Sequence, residues 1–367
     1  MSLAYLSSRP SRWLVGVSAM LALPAAMANE RVQVVTSFSI LADMVENVGG
    51  EHVEVTPLVA ADGDAHVYSP SPGDARSLAN ADLVVFNGLR FEGWMERLIS
   101  ASDYSGPLVT ATDGIDPLSF AGHEDHDEQG HEDHGHDEHA HDEHEHEAHG
   151  HEENGHDDHA GHEHGNQDPH AWQDMHQAEV YVANIRDGLI AADADNADAY
   201  RANAEQYLQE MAEVDAEIRA LIDEIPASTS VITGHDSFGY FSSAYGVNFL
   251  SPVGLSTEAD PSGASMAALV DVIEQENVKA LFHENMTNQS IITQLAEETG
   301  LPIAGTLYAD ALSAEGEAST YLGMMRHNAQ VLHDALAQPG HDDHDHDHDH
   351  DHDHDHDHDH DHDHDHD

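Results

Sequence analysis

One stretch fixes more of the architecture than any other: NADAYRANAEQYLQEMAEVDAEIRALIDEIP, residues 196–226, contains no glycine and meets no proline before Pro226. Its apolar residues Tyr200, Ala204, Tyr207, Leu208, Met211, Val214, Ile218 and Leu221 recur at helical intervals, so the segment reads as one helix with one buried face. At 1.5 Å per residue it is about 40 Å long, enough to run along two domains. A connector of this kind is stiff. Small tilts are expected of the two halves it joins, rather than wide hinge closure.

Both halves read as alternating strands and helices. In the first, RVQVVTS, VEVTPLVA, DLVVFNG and PLVTAT are strands, separated by the helical stretches FSILADMVENVGG, SPGDARSLANA and FEGWMERLISAS. In the second, TSVITG, VNFLSP, VKALFHE and PIAGTLY are strands. Helices are expected there at about 236–245, 263–277 and 287–299, with a last one near 316–338. Short β-rich runs alternating with helices imply right-handed crossovers and parallel sheets. The expected fold class is therefore α/β: two parallel-sheet lobes, residues 29–195 and 227–340, joined by one long rigid helix at 196–226.

Three segments fall outside this scheme. Residues 1–28 carry Arg9 and Arg12 ahead of the apolar run WLVGVSAMLALPAAMA, which ends on Ala26-Met27-Ala28; this is the pattern of an export signal cleaved before Asn29. No later apolar stretch is long enough to cross a bilayer, and no cysteine is available to carry a lipid. The mature protein is expected in the periplasm. Lack of cysteine also means that no disulfide supports the fold, and that any metal must be held by imidazole and carboxylate rather than thiolate.

The other two segments are of low complexity. Residues 123–164 hold 15 His and 17 Asp or Glu, and 341–367 alternate His with Asp almost strictly. Neither can bury enough apolar surface to offset the entropy of ordering, so both are expected to be disordered. In the first, His131, His134, His136, His139, His141, His144 and His146 recur at intervals of two or three, as weak auxiliary metal sites would. Outside both runs there remain 41 acidic against 11 basic residues, with Lys279 the sole lysine. This balance argues against nucleic acid and anionic membrane surfaces as partners.

Eight histidines lie outside the runs: His52, His66, His170, His176, His235, His283, His327 and His333. Three of them occupy loops where a parallel sheet presents ligands, past strand ends or just before helices: His66 in GDAHVYSPSP, His170 in DPHAW and His235 in TGHDSFGY. Asp310, in TLYADALS, follows its strand in the same way. Three imidazoles and a carboxylate complete a tetrahedral set for Zn2+. The spacings support one ligand per repeated unit: 65 residues from His170 to His235, 75 from His235 to Asp310, and 104 from His66 to His170, which becomes 62 once the 42-residue run is subtracted. The run thus reads as an insertion between two ligand-bearing loops.

Neighbouring residues have lesser roles to fill. Asp168 and Asp236 can orient ligand imidazoles as acceptors, although Asp236 suits a helix cap equally well. Trp172 either walls the site from water or fills the core. Glu284 ends a buried strand at the level of the cleft, where it can bond a loop or a ligand.

The stretches GDAHVYSPSPGDARSLANADLVVFNGLRFEGWMERL, DPHAWQD, VITGHDSFGYF and TLYADALS resemble the successive motifs of the ZnuA-like metal-binding proteins that serve ABC importers of zinc and manganese. The resemblance implies a metal in the cleft between two lobes, with its four ligands falling on His66, His170, His235 and Asp310. It also implies a membrane permease as partner; a monomeric protein is expected, and a periplasmic zinc chaperone is a candidate donor that the sequence leaves open. Manganese-type members usually place Glu at the third position, where this chain has His235; nitrogen donors favour zinc. A zinc hydrolase is disfavoured because there is no HExxH and Asp310 fills the position a reactive water would need. A periplasmic zinc buffer acting through the runs and a manganese-specific binding protein of the same family are the remaining alternatives, and the runs are expected to concentrate ions at the cleft mouth.

Overall fold

The structure, a computed structural model, describes residues 31–119, 167–254, 257 and 261–337. The expectations for the export signal, for His131, His134, His136, His139, His141, His144 and His146, and for the tail at 341–367 lie outside the described residues. The first lobe runs β1 (Val32–Phe38), α1 (Ser39–Gly49), β2 (Val53–Val59), α2 (Pro72–Ala79), β3 (Leu83–Phe86), α3 (Met95–Ser102), β4 (Leu108–Thr110) and α4 (Met175–Ala192). Helix α5 (Ala197–Ile222) follows. The second lobe runs β5 (Ser230–Ile232), α6 (Gly239–Tyr245), β6 (Asn248–Leu250), α7 (Gly263–Gln275), β7 (Val278–Glu284), α8 (Gln289–Thr299), β8 (Ile303–Leu307) and α9 (Tyr321–Leu336).

Each lobe has a four-stranded parallel sheet, ordered β2-β1-β3-β4 in the first and β6-β5-β7-β8 in the second. Both orders reverse beside their first strand, the point at which open parallel sheets bind ligands at strand C-termini. The local signals behave as their chemistry requires. Ser71 and Asp74 form a reciprocal capping box at the start of α2, with Pro72 in its first turn.

In α5 the residues Tyr200, Ala204, Tyr207, Met211, Val214, Ile218 and Ile222 are buried, while Leu208 and Leu221 are partly so. The helix packs against α1, α4 and α9. Arg326 of α9 pairs with Glu217 of α5, and Asp43 of α1 accepts from Tyr207 of α5 and from the N–H of Tyr321. The last helix therefore returns to the connector and to the first lobe.

The apolar interior reflects this. Phe238, Phe241, Ala280, Phe282 and Leu307 of the second lobe belong to the same buried cluster as Val34, Phe38, Met44 and Val85 of the first. A smaller cluster, Ile232, Met266, Leu269, Val278, Leu281, Ile292 and Leu295, fills the space under α7 and α8. One core continues through both lobes, and a large relative rotation would have to break it.

The helix expected from residue 236 begins only at Gly239; before it the Asp236 N–H donates to the Gly254 carbonyl and the Ser237 N–H to the His235 carbonyl. The described chain ahead of residue 120 and after residue 166 meets at an antiparallel bridge between Ser119 and Gln167, reinforced by the Asp168 N–H to the Leu118 carbonyl at 2.9 Å.

Candidate metal centre

Four loops converge at the strand C-termini between the lobes. His66 lies in the loop after β2, where its N–H donates to Asp64 Oδ1 at 2.8 Å and the preceding Ala65 carbonyl accepts from Trp94 Nε1 at 2.7 Å. Its ring meets that of Phe91 edge-on, with centroids 4.6 Å apart.

His170 leads into a short turn at Ala171–Gln173. Asp168 Oδ1 accepts from both its backbone N–H at 2.9 Å and its Nδ1 at 2.7 Å. Pro169 between them has no N–H to satisfy, and its carbonyl accepts from Asn87 Nδ2 at 2.9 Å.

His235 follows β5. Glu284, at the end of the adjacent β7, accepts the N–H groups of Gly234 and His235 on Oε1, at 2.6 and 3.0 Å, and His235 Nδ1 on Oε2 at 2.6 Å. Asp310 follows β8. Two donors from the His170 loop, Trp172 Nε1 and Gln173 Nε2, both reach the Ala309 carbonyl at 2.9 Å, which fixes one ligand loop against the other across the lobes.

All four side chains are buried, and one donor atom from each lies within 4.8 Å of the others. His66 Nε2 and His235 Nε2 stand 3.1 and 2.9 Å from Asp310 Oδ2, His170 Nε2 is 3.6 Å from Asp310 Oδ1, and the Nε2 atoms of His66 and His170 are 3.4 Å apart. Bonds of about 2.0–2.1 Å in a tetrahedron would place donors about 3.3 Å apart. The cluster is close to that spacing as it stands.

Carboxylates on Nδ1 of His170 and His235 hold the Nδ1 proton and turn the Nε2 lone pairs inward. The Nε2 atoms of His66 and His170 face each other at a distance where only one can bear a proton. Asp310 Oδ1 has no hydrogen-bond partner among the described residues. A divalent cation satisfies all of these atoms together.

Electrostatics define what a cation meets. Burial pushes the His235 pKa down, but the carboxylates of Glu284 and Asp310 outweigh it and hold the imidazole well above its usual range. Burial would raise Asp310, yet His235 and His170 hold it well below. Burial keeps His66 low despite Asp310.

The neighbouring residues sort as follows. Asp168 and Glu284 orient imidazoles. Trp172 is fully buried, 5.3 Å from the His170 ring, and combines core filling with the tie to Ala309. Asp236 does neither task expected of it: the cap position of α6 belongs to Phe238, Asp236 makes no side-chain hydrogen bond to an imidazole among the described residues, and Glu284 already holds His235 Nδ1. His52 and His333 pair instead with Tyr200 and Glu224, while His176 is exposed. His283 and His327 lie outside the converging set. Phe91, Asp64 and Gln173 were not singled out from sequence, although Asp64-Ala-His66 repeats the Asp-x-His spacing of Asp168-Pro-His170.

Known proteins resemble this chain over most of its length. It is 31% identical over 312 residues to the manganese-binding lipoprotein MntA of Halalkalibacterium halodurans, covering 84% of this chain and 90% of that protein. It is 26% identical over 314 residues to the iron-binding protein YfeA of Yersinia pestis, covering 84% and 88%. Among solved structures, the periplasmic zinc-binding protein TroA from Treponema pallidum superposes with a TM-score of 0.70 at 26% identity, over 84% of this chain and 100% of that one. These relatives are binding proteins rather than enzymes. The family described as zinc-uptake complex component A, periplasmic, matches residues 34–335, and this chain belongs to that family, the metal-binding components of ABC transporters.

Proposed function

We propose that this chain captures zinc in the periplasm, at His66, His170, His235 and Asp310, and delivers it to the membrane permease of its transporter. The observation that carries the proposal is the donor set: three Nε2 atoms and one carboxylate within 4.8 Å, all buried, with carboxylates on the Nδ1 atoms of His170 and His235. Three nitrogen donors in a four-coordinate cluster favour zinc over manganese, in keeping with the Irving–Williams order. The division into residues 29–195, 196–226 and 227–340 is part of this reading, as are cleavage of residues 1–28, action as a monomer and supply by a zinc chaperone. The His-rich runs then act as a weak local reserve.

A second reading is manganese capture at the same four residues. Its support is the relative named for manganese at 31% identity.

Metal competition decides between them. Trp94 and Trp172 both donate to loops that carry ligands, and neither run contains tryptophan, so tryptophan emission reads the cleft separately from the runs. The zinc reading expects the full-length chain to prefer zinc in emission titrations against manganese, and His235→Glu to shift that preference toward manganese. Preference for manganese in the unaltered chain would replace the first reading with the second.

A further inference from the structure

We propose that Asp62 is a positioning residue that clasps the ligand loops at the cleft mouth and slows metal release; the inference rests on the metal-capture reading above. Asp62 sits in the exposed loop between β2 and His66, with φ +59°, a left-handed conformation that a residue other than glycine adopts only at a cost. All three polar groups that it offers across the lobes are engaged. Its N–H donates to the Leu312 carbonyl at 2.8 Å. Oδ1 accepts from Asn285 Nδ2 and Oδ2 from the Ala314 N–H, both at 3.1 Å.

Each partner is a short step from the metal cluster. Asp62 is four residues before His66, Leu312 is two after Asp310, and Asn285 follows the Glu284 that holds His235. Asn285 also donates to the Ala311 carbonyl at 3.3 Å, and the Leu312 N–H donates to Ser39 Oγ of the first lobe at 3.0 Å. One exposed carboxylate therefore joins the His66 loop, the Asp310 loop and the end of β7. With a continuous core beneath them, the freedom left for a metal to escape lies in these loops, and separating them requires the Asp62 bonds to break.

The chemistry of the clasp is specific. Both carboxylate oxygens face N–H donors, so an amide in place of the carboxylate would turn its own N–H₂ toward one of them. The turn itself makes the opposite demand, because asparagine and glycine are the residues best suited to a left-handed backbone.

Asp62→Asn and Asp62→Gly separate the two. Full-length chain loaded with one equivalent of zinc is mixed with excess chelator in a stopped-flow instrument, and tryptophan emission is followed. We expect both variants to release zinc about tenfold faster, the loss of about one charge-assisted hydrogen bond, with the association rate unchanged and Tm held or raised. A turn-forming role alone leaves release as it is in both, and that result overturns the proposal.

Asn285→Ala approaches the clasp from the other lobe. It should also speed release, and combining it with Asp62→Asn should yield less than the product of the two effects; a full product overturns the proposal. Absence of any emission response to zinc or manganese in the unaltered chain would instead remove the metal-capture reading itself.

Discussion

The Asp168 carboxylate occupies the space in which a side chain at Gly239 would begin: a Cβ built on Gly239 lies 2.5 Å from Asp168 Oδ2. The first residue of α6, in the second lobe, is thereby fitted to the group that orients His170 in the first. Gly239→Ala is expected to displace Asp168, release His170 Nδ1 and weaken metal binding about tenfold. Freeing a buried carboxylate from its N–H donors costs more than the helix preference of alanine returns, so Tm should fall as well. Emission titration beside thermal unfolding checks both halves; lowered Tm with unchanged affinity would contradict the assignment.

Glu284 accepts three N–H groups with two oxygens and has no exposed surface. Glu284→Gln puts an amide N–H₂ where one of those donors points. Expected outcomes are a loss of stability of about 1–3 kcal/mol, read by denaturant unfolding of the metal-free protein, and at least tenfold weaker zinc binding. Equal affinity in the variant would show that the His235 tautomer is set by something else.

Proton release should accompany metal binding. With the His235 pKa raised in the folded protein by the Glu284 and Asp310 carboxylates, a proton competes with the metal for the imidazole, and a metal on Nε2 must expel it. Affinity therefore rises with pH until His235 is deprotonated in the free protein. Calorimetry in two buffers of different ionisation enthalpy counts the protons. Full-length chain is expected to release more than His235→Glu does; identical counts would refute that competition.

Asp43 gives a separate pH dependence remote from the metal. Burial, reinforced by Glu46 and opposed by its bonds from Tyr321 and Tyr207, raises its pKa to about 6. A raised folded-state value means that its favourable contribution is complete below about pH 4 and is lost as pH rises through 6. Asp43→Asn keeps an acceptor for Tyr321 and cannot ionise. It should be more stable than the unaltered chain above pH 6 by about 1 kcal/mol, discounted for partial exposure, with the difference vanishing near pH 4. Chemical unfolding at pH 4 and 7.5 checks the sign.

How much of this was legible in the chain depends on how far apart the partners lie. His66, His170, His235 and Asp310 each stand in a loop of a repeated strand-helix pattern, so their loop positions, their joint spacing and the family motifs around them marked them together. Asp64 and Asp168 carry a local sign too, an acidic residue two positions before a histidine, because an Asx-type bond to the following N–H needs that separation. Glu284 is harder: its partner is 49 residues away, and the pairing exists because β7 lies beside β5, a matter of sheet order. Asp236 failed for the same reason, since adjacency in sequence to His235 does not place a side chain on the imidazole.

The long connector was evident from an uninterrupted helical period. That α9 would return to cover it was not, since an amphipathic pattern states which face is buried and never names the neighbour. The continuity of Phe238 and Phe282 with the first lobe's interior is hidden in the same way.

The pairing of Ser119 with Gln167 has a consequence for inheritance. Two chain ends that meet at a single rung can be joined by a tether of any length, because each doubling adds only about 0.6 kcal/mol of closure entropy. Imidazole-bearing repeats can thus be gained or shed between those two residues over generations while the ion-holding chamber a few residues away keeps its shape.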